Sequence, residues 1–493
     1  MDISVPTIVT FIVYLVVMLS IGFLFYKLTN NLSDYVLGGR KLNGPVAALS
    51  AGASDMSSWL LLGLPGAMYL GGMSEIWLPI GLTIGAYLNW QFQARRLRRY
   101  TIIANDSITI PDFLENRFHD KTKALRIVSA LFILIFFTFY TSSGLVGGAT
   151  LFVSSFGLSY QAALWIGGAV IITYTFLGGF MAVSWTDFIQ GILMFLALVA
   201  VPIAAVIEIG GWENSVQTVS SINPDALSAF TNVSIISVVS LLAWGLGYFG
   251  QPHIITRFMA IRSEKEIPMA RFVGMSWMVI SLLGAIFTGF IGIAYFSGDA
   301  QLGEGNQETV FILFTQVLFN PWVSGVLLAA ILAAIMSTVD SQLLVSSSAL
   351  AEDFYKGMLR PKASDRELVW VGRIGVIVIA LIALLLASNP GSTVLELVSY
   401  AWAGFGAVFG PAMLFSLFWR RTSMWGVLAG MIAGGATVII WVQLTGGLFD
   451  LYEIVPGFFI NVLIIIVVSL LGPKPSDKIK TEFDSVGTYT EKS

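Results

Sequence analysis

The decapeptide Ser50-Ala51-Gly52-Ala53-Ser54-Asp55-Met56-Ser57-Ser58-Trp59 sets one acid, one glycine and four serines in the middle of an apolar run from about Pro45 to Leu70. A membrane span needs about 20 apolar residues. An ionisable group at that depth costs several kcal/mol and marks an ion or substrate path. Glycine and short hydroxyl residues let a helix open where its freed backbone groups face a cavity instead of lipid. The chemistry these residues offer is ion and solute binding at a broken helix.

A second apolar run carries Ala334, Ser337 and Thr338. Their i, i+3, i+4 spacing puts them on one helix face. Two hydroxyls and the Ala334 carbonyl, with the carbonyls of Ala53 and Met56 from an opened helix opposite, make five mostly neutral oxygens. Such a set suits a hard monovalent cation, since a divalent ion wants several carboxylates. Asp55 adds negative charge nearby. The plainer account is that Ser and Thr glue packed helices; the acid and the broken helix opposite favour the ion site. For the solute, Trp59, Tyr140, Trp244 and Tyr248 offer ring faces to an ammonium group. The half-helix after Asp55 offers free N–H groups to a carboxylate. A small zwitterionic amino acid fits both. Ordinary packing is the alternative for each ring in a chain with 14 Trp, 15 Tyr and 35 Phe.

These residues need long apolar helices to hold them. The 493-residue chain is 56% hydrophobic and 11% charged, with no cysteine and two histidines; a soluble domain has about 25% charged residues. This predicts an all-α polytopic membrane protein. It leaves no disulfide framework or thiolate metal site, and no basic cluster for nucleic acid. We read 13 spans, at 4–26, 45–70, 77–94, 125–152, 160–178, 186–207, 231–256, 272–296, 321–348, 368–387, 394–418, 424–444 and 456–472. With the N-terminus outside and the C-terminus inside, all 26 Lys and Arg fall in cytoplasmic loops or at cytoplasmic helix ends, as the positive-inside rule requires. No Lys or Arg then lies at midplane. The run from Ile3 to Tyr26 lacks a preceding basic region and reads as a retained span. Residues 473–493 read as a short flexible cytoplasmic tail.

Spans 2 and 7 run in opposite directions, and each is glycine-interrupted at a corresponding place, the latter at Trp244-Gly245-Leu246-Gly247-Tyr248-Phe249-Gly250. Interrupted helices at matching positions in two halves point to an inverted-repeat transporter with its site between the halves. Repeat one would cover about 45–207 and repeat two about 231–418, with span 1 before them and spans 12–13 (about 424–472) after, in one membrane domain over 1–472.

Leu37-Gly38-Gly39-Arg40, the Ser50–Ser57 block, Tyr174 to Ala182, Ser184-Trp185-Thr186-Asp187, Trp244 to His253, and Ala333 to Thr338 resemble the sodium/solute symporter family, its proline-type members above all, over nearly the whole chain. The resemblance implies a LeuT-like fold of two inverted five-helix repeats in a bacterial-type cytoplasmic membrane. It implies a Na⁺ site at Ala53, Met56, Ala334, Ser337 and Thr338, and sodium handling or coupling by Asp55, Asp187 and Arg40. Substrate contacts would be Ser57, Trp59, Tyr140, Trp244 and Tyr248, and the expected activity is Na⁺-coupled uptake of L-proline by alternating access. Read from the residues alone, Asp187 is also placed to be a helix N-cap at the start of span 6, and Arg40 to obey the charge rule. Ser58 stands where proline-type members usually carry glycine.

The rival readings are a symporter of another amino acid, a vitamin acid or a sugar, and a transporter-like sensor or channel. The 21-residue tail holds no signalling domain, and the polar groups cluster at one depth instead of lining a continuous pore. No nucleophile–base constellation, metal motif or nucleotide loop points to an enzyme, and no feature calls for an obligate protein partner.

Overall fold

The computed structural model describes residues 5–26, 31–177, 179–231, 233–298, 302, 305–389 and 393–488. Lys27, Gly178, Asp299, Glu304 and the last five residues, used in the charge and motif readings, lie outside them, as do the side chains of Tyr174 and Leu177. The helices, in chain order, are α1 (Val5–Tyr26), α2 (Leu32–Leu37), α3 (Gly44–Asp55), α4 (Leu64–Gly71), α5 (Trp77–Leu88), α6 (Ala94–Ile103), α7 (Ile110–Phe118), α8 (Ala124–Phe156), α9 (Tyr160–Leu177), α10 (Phe180–Ile209), α11 (Trp212–Ile222), α12 (Ile235–Leu242), α13 (Pro252–Ala260), α14 (Ile267–Tyr295), α15 (Val310–Leu318), α16 (Pro321–Ser348), α17 (Asp365–Ala387), α18 (Val394–Phe418), α19 (Met424–Trp441), α20 (Ile454–Leu471) and α21 (Asp477–Thr488). Among the described residues the only β pairing is an isolated bridge between Leu42 and Ile261.

Every predicted span overlaps a helix or a broken pair of helices. Among the described residues, nine helices are by themselves long and apolar enough to cross a membrane, and the bent pair around Gln251 makes a tenth. The short amphipathic helices α7, α11 and α15 were missed within the loops, because 9–11 residues carry too few turns for a periodic signal.

Two breaks organise the interior. Asn43 caps α3 by accepting from the Val46 N–H at 3.0 Å, and the helix runs to Asp55. Met56 then leaves helical geometry at φ −81°, ψ 62°, and the chain resumes as a π-turn over Trp59–Gly63 before α4. The second break follows α12: Ala243–Gly250 winds as a 3₁₀-helix, and α13 departs at 43° to the preceding axis. Gly245, Gly247 and Gly250 weaken the α-helix there. Pro252, lacking an N–H, starts α13 at a position where none is needed. The helices expected to face these breaks, α8 at Tyr140 and α16 at Ser337, run through without interruption.

Residues 473–493 were expected to be flexible; instead α21 packs on the basic face of the bundle. Phe483 and Val486 are buried. The Phe483 ring lies beneath the guanidinium groups of Arg96 (4.7 Å) and Arg117 (5.3 Å). Asp484 pairs with Arg420 at 2.7 Å and Glu482 with His119 at 2.8 Å. The apolar pair Phe483/Val486 at i, i+3 is the amphipathic signal that the polar composition hid.

Phe483→Ala should undock α21. Burying such a ring contributes about 2 kcal/mol, so limited proteolysis at Lys478 and Lys480 should speed up roughly tenfold or more. Arg420→Ala, which removes only an exposed ion pair, should change it little.

Candidate functional site

Most of the residues predicted for the ion and the solute lie at or beside the two breaks. The Ala53 carbonyl, on the last turn of α3, accepts from Ser337 Oγ at 2.8 Å and Thr338 Oγ1 at 3.3 Å. Ser337 Oγ also reaches the Ala334 carbonyl at 3.2 Å. Four of the five oxygen sources expected for a cation are thus joined in one chain of hydrogen bonds, and all four residues are buried. Met56 adjoins them at the point where α3 stops.

Asp55 is the hub of the aromatic residues. Its carboxylate Oδ2 accepts from Tyr248 O–H at 2.5 Å. Its backbone carbonyl, released by the break, accepts from Trp59 Nε1 at 3.2 Å, Ser57 N at 2.9 Å and Tyr140 O–H at 3.4 Å. Trp59 and Trp244 approach to 6.3 Å between ring centroids. Asp55 Oδ1 is buried with no hydrogen-bond partner among the described residues. A buried acceptor left so is costly, and a cation beside it would satisfy it. The freed N–H groups expected to face a carboxylate turn partly inward: Trp59 N donates to Ser57 Oγ at 3.3 Å and Leu60 N to the Ser57 carbonyl at 3.1 Å. Ser58 is buried against Gly147, whose absent Cβ would lie 2.8 Å from it.

Asp187 does not cap a helix. α10 begins at Phe180 with Gly179 before it, so Asp187 lies two turns in. Its Oδ2 accepts from Ser50 Oγ at 2.6 Å and from Arg257 at 3.2 Å. Arg257 also donates to Ser50 Oγ (3.1 Å), Ser341 Oγ (2.5 Å) and the His253 carbonyl (2.8 Å). Both charged side chains are fully buried. Arg257 lies in the last turn of α13, at a helix end as the charge rule expects, yet its side chain is buried against Asp187. Counting charges by loop cannot see that this side chain is buried. Arg257 is a site residue the sequence reading missed, although its place one turn after His253 in a broken helix was a signal.

Arg40 closes the basic end of the bundle. Held at φ 56° after Gly38 and Gly39, it donates to Asp106 at 3.0 Å, Thr101 Oγ1 at 3.2 Å, the Met259 carbonyl at 2.8 Å and the Ser107 carbonyl at 2.8 Å. It ties the α2–α3 linker to α6 and α13, which is more than a charge rule requires.

The opposite end is open. A cavity of about 740 Å³ is lined there by Glu75, Glu308, Glu396, Asp450 and Glu453, with no Lys or Arg among the described residues of its lining, and Trp244 reaches it. Of the five predicted solute contacts, only Trp244 lines this cavity; the other four are buried and do not line it. Burial raises the carboxyls of Glu75 and Glu308 above the usual range and pushes Glu453 up to about 7.

The model of the sodium:solute symporter family matches residues 35–434. The sodium/proline symporter of Salmonella typhimurium (strain LT2) is 53% identical over 486 residues, covering 98% of this chain and 96% of that protein. The high-affinity proline transporter PutP of Bacillus subtilis (strain 168) is 55% identical over 468 residues, 95% and 98% of the two chains. Among solved structures, a Na⁺-coupled sialic acid symporter in a substrate-bound outward-open state superposes with a TM-score of 0.82 at 20% identity, over 96% of this chain and 100% of that one. That likeness shows a shared fold.

Breaking the buried Asp187–Arg257 pair from one side should cost about 3–5 kcal/mol, because an uncompensated charge stays buried. Thermal unfolding in detergent should show a marked fall for Asp187→Ala and for Arg257→Met. The double variant should recover most of the loss, and additive losses would show that the two side chains do not interact.

Proposed function

The chain belongs to the sodium:solute symporter family, and from that premise we propose that it is a secondary active transporter that carries L-proline inward with Na⁺ by alternating access. The observation that supports this most is the convergence of Ala53, Ala334, Ser337 and Thr338 oxygens beside a broken helix whose Asp55 gathers Trp59, Tyr140 and Tyr248. Full-length relatives at 53% and 55% identity carry proline in their names.

In this reading Na⁺ binds through the carbonyls of Ala53, Met56 and Ala334 and the hydroxyls of Ser337 and Thr338. Asp55 supplies charge. Ion binding links α3 to α16 and orders the break, which presents Ser57, Trp59, Tyr140, Trp244 and Tyr248 to proline. Ion and proline then raise each other's affinity by the same factor. Asp187 and Arg40 couple this to the closed basic end: Asp187 through Arg257, and Arg40 through its ties to α6 and α13. Helices from about 45–207 and 231–418 form two inverted repeats within 13 spans, the N-terminus outside and the C-terminus cytoplasmic, with the acidic cavity as the outer vestibule. One charge moving through 100 mV supplies about 2.3 kcal/mol, which supports roughly fifty-fold accumulation before the Na⁺ gradient adds to it.

The acidic vestibule concentrates cations at its mouth, an effect that salt screens. Glu453 titrates at about 7, so it is charged above that pH and neutral below it.

Two experiments test the reading. L-[³H]proline uptake into proteoliposomes should require an inward Na⁺ gradient, fail with K⁺ in its place, and be lost in Asp55→Asn. Absence of Na⁺-driven proline uptake by folded protein would refute the substrate, and a solute screen for Na⁺-dependent binding would follow. Between pH 8 and 6 the half-saturating Na⁺ concentration should rise as Glu453 is neutralised. Glu453→Gln should show the raised value already at pH 8, with a flatter pH profile.

A further inference from the structure

The 3₁₀ segment Ala243–Gly250 carries Trp244 and Tyr248, and three of its carbonyls are taken up by side chains from elsewhere in the fold. Trp402 Nε1 on α18 donates to the Trp244 carbonyl at 2.7 Å. Asn89 Nδ2 donates to the Tyr248 carbonyl at 2.9 Å, and Gln93 Nε2 to the Phe249 carbonyl at 3.1 Å. In return Gln251 Nε2 donates to the Trp402 carbonyl at 3.3 Å. All four side chains are buried.

The sequence around the two amides is built for this contact. Gly81, Gly85, Asn89 and Gln93 recur every four residues and form one stripe. A Cβ at Gly81 would strike the Leu242 carbonyl, and one at Gly85 the Gly245 carbonyl, so the glycines let α5 lie directly against the segment. The stripe then turns from glycine to amide where the segment's carbonyls need donors. Asn89–Gln93 forms a π-turn, a local widening frequent at functional sites. Asn89 Oδ1 and Gln93 Oε1 are left buried without partners among the described residues, so each amide spends its donor on the segment while its acceptor goes unmatched. From the other side, a Cβ on Gly247 would strike the Trp402 indole. That ring stacks on Trp244 at 6.2 Å and meets Tyr248 edge-on at 5.1 Å.

We propose that Asn89, Gln93 and Trp402 are positioning residues of the substrate site: by holding the carbonyls of Trp244, Tyr248 and Phe249 they set the two aromatic side chains that face the substrate. This rests on the reading of Trp244 and Tyr248 as substrate contacts. Asn89, Gln93 and Trp402 act through the segment, so their loss should change substrate affinity and leave the Ala53–Ser337–Thr338 oxygens in place.

Asn89→Leu, Gln93→Leu and Trp402→Phe each remove a donor while keeping most of the volume. In proteoliposomes each should raise the KM for L-proline roughly tenfold, the effect of leaving one buried carbonyl unpaired. Na⁺ affinity measured by intrinsic fluorescence without proline should stay near the wild-type value. Hydrogen exchange in Na⁺-containing, proline-free protein should speed up across 243–250 and not across 334–338. Unchanged KM and unchanged exchange would overturn the proposal. So would a parallel fall of proline and Na⁺ affinity, which would mean general damage. If wild-type protein takes up no proline while exchange across 243–250 still responds to the variants, the positioning role stands and the substrate reading fails. Should Asn89→Leu not fold, Gln93→Leu and Trp402→Phe carry the same comparison.

Discussion

Backbone polar groups inside a membrane protein have no water to fall back on, and this constraint governs the structure around both breaks. An unpaired N–H or C=O in such surroundings costs several kcal/mol. A helix can therefore open only where other groups are ready to receive what it releases. At the first break the Asp55 carbonyl receives Ser57 N, Trp59 Nε1 and Tyr140 O–H, and the Ala53 carbonyl receives Ser337 and Thr338. At the second, Trp402, Asn89 and Gln93 do the same for Ala243–Gly250. The groups that make opening tolerable are also those that bring α8, α16, α5 and α18 to the site.

Charge obeys the same logic. Asp187 and Arg257 are held in the interior by each other and by Ser50, Ser341 and the His253 carbonyl. Arg40 spends its donors on one carboxylate, one hydroxyl and two carbonyls at the closed end. At the open end five acids face one cavity with no Lys or Arg among the described residues of its lining. In the proposed reading, the acidic cavity would draw a cation toward the oxygens of Ala53, Ala334, Ser337 and Thr338, with Arg40 at the far, basic end. In that reading, binding, closure and release follow from differences in affinity between states, and the ion and solute gradients set the net direction.

Much of the candidate site was legible because its signals are local. Ala334, Ser337 and Thr338 share a face by helical geometry alone, and an acid beside serines and glycine within an apolar run has few other meanings. The helix-cap account of Asp187 failed, and Arg257 was missed as a site residue, because their partners lie far away in sequence: residue 187 reads as a helix start only if one does not know that the helix begins at Phe180. Trp402 and Asn89 were invisible for the same reason, since a tryptophan or an amide in an apolar helix has nothing nearby to say which carbonyl it meets. The tail was misread on composition, although Phe483 and Val486 carried the pattern of a docking face.

The chain by itself determined which segments are apolar, where two of them must open, and which oxygens lie on the face of α16, because each follows from spacing within one helix or from transfer of side chains out of water. Only the tertiary structure decided that the Ala53 carbonyl meets Ser337, that Arg257 turns inward to Asp187, and that the stripe from Gly81 to Gln93 lies against the second break. Those outcomes depend on how closely two backbones approach and on which buried polar group would otherwise go unpaired, and neither is written at any single position in the sequence.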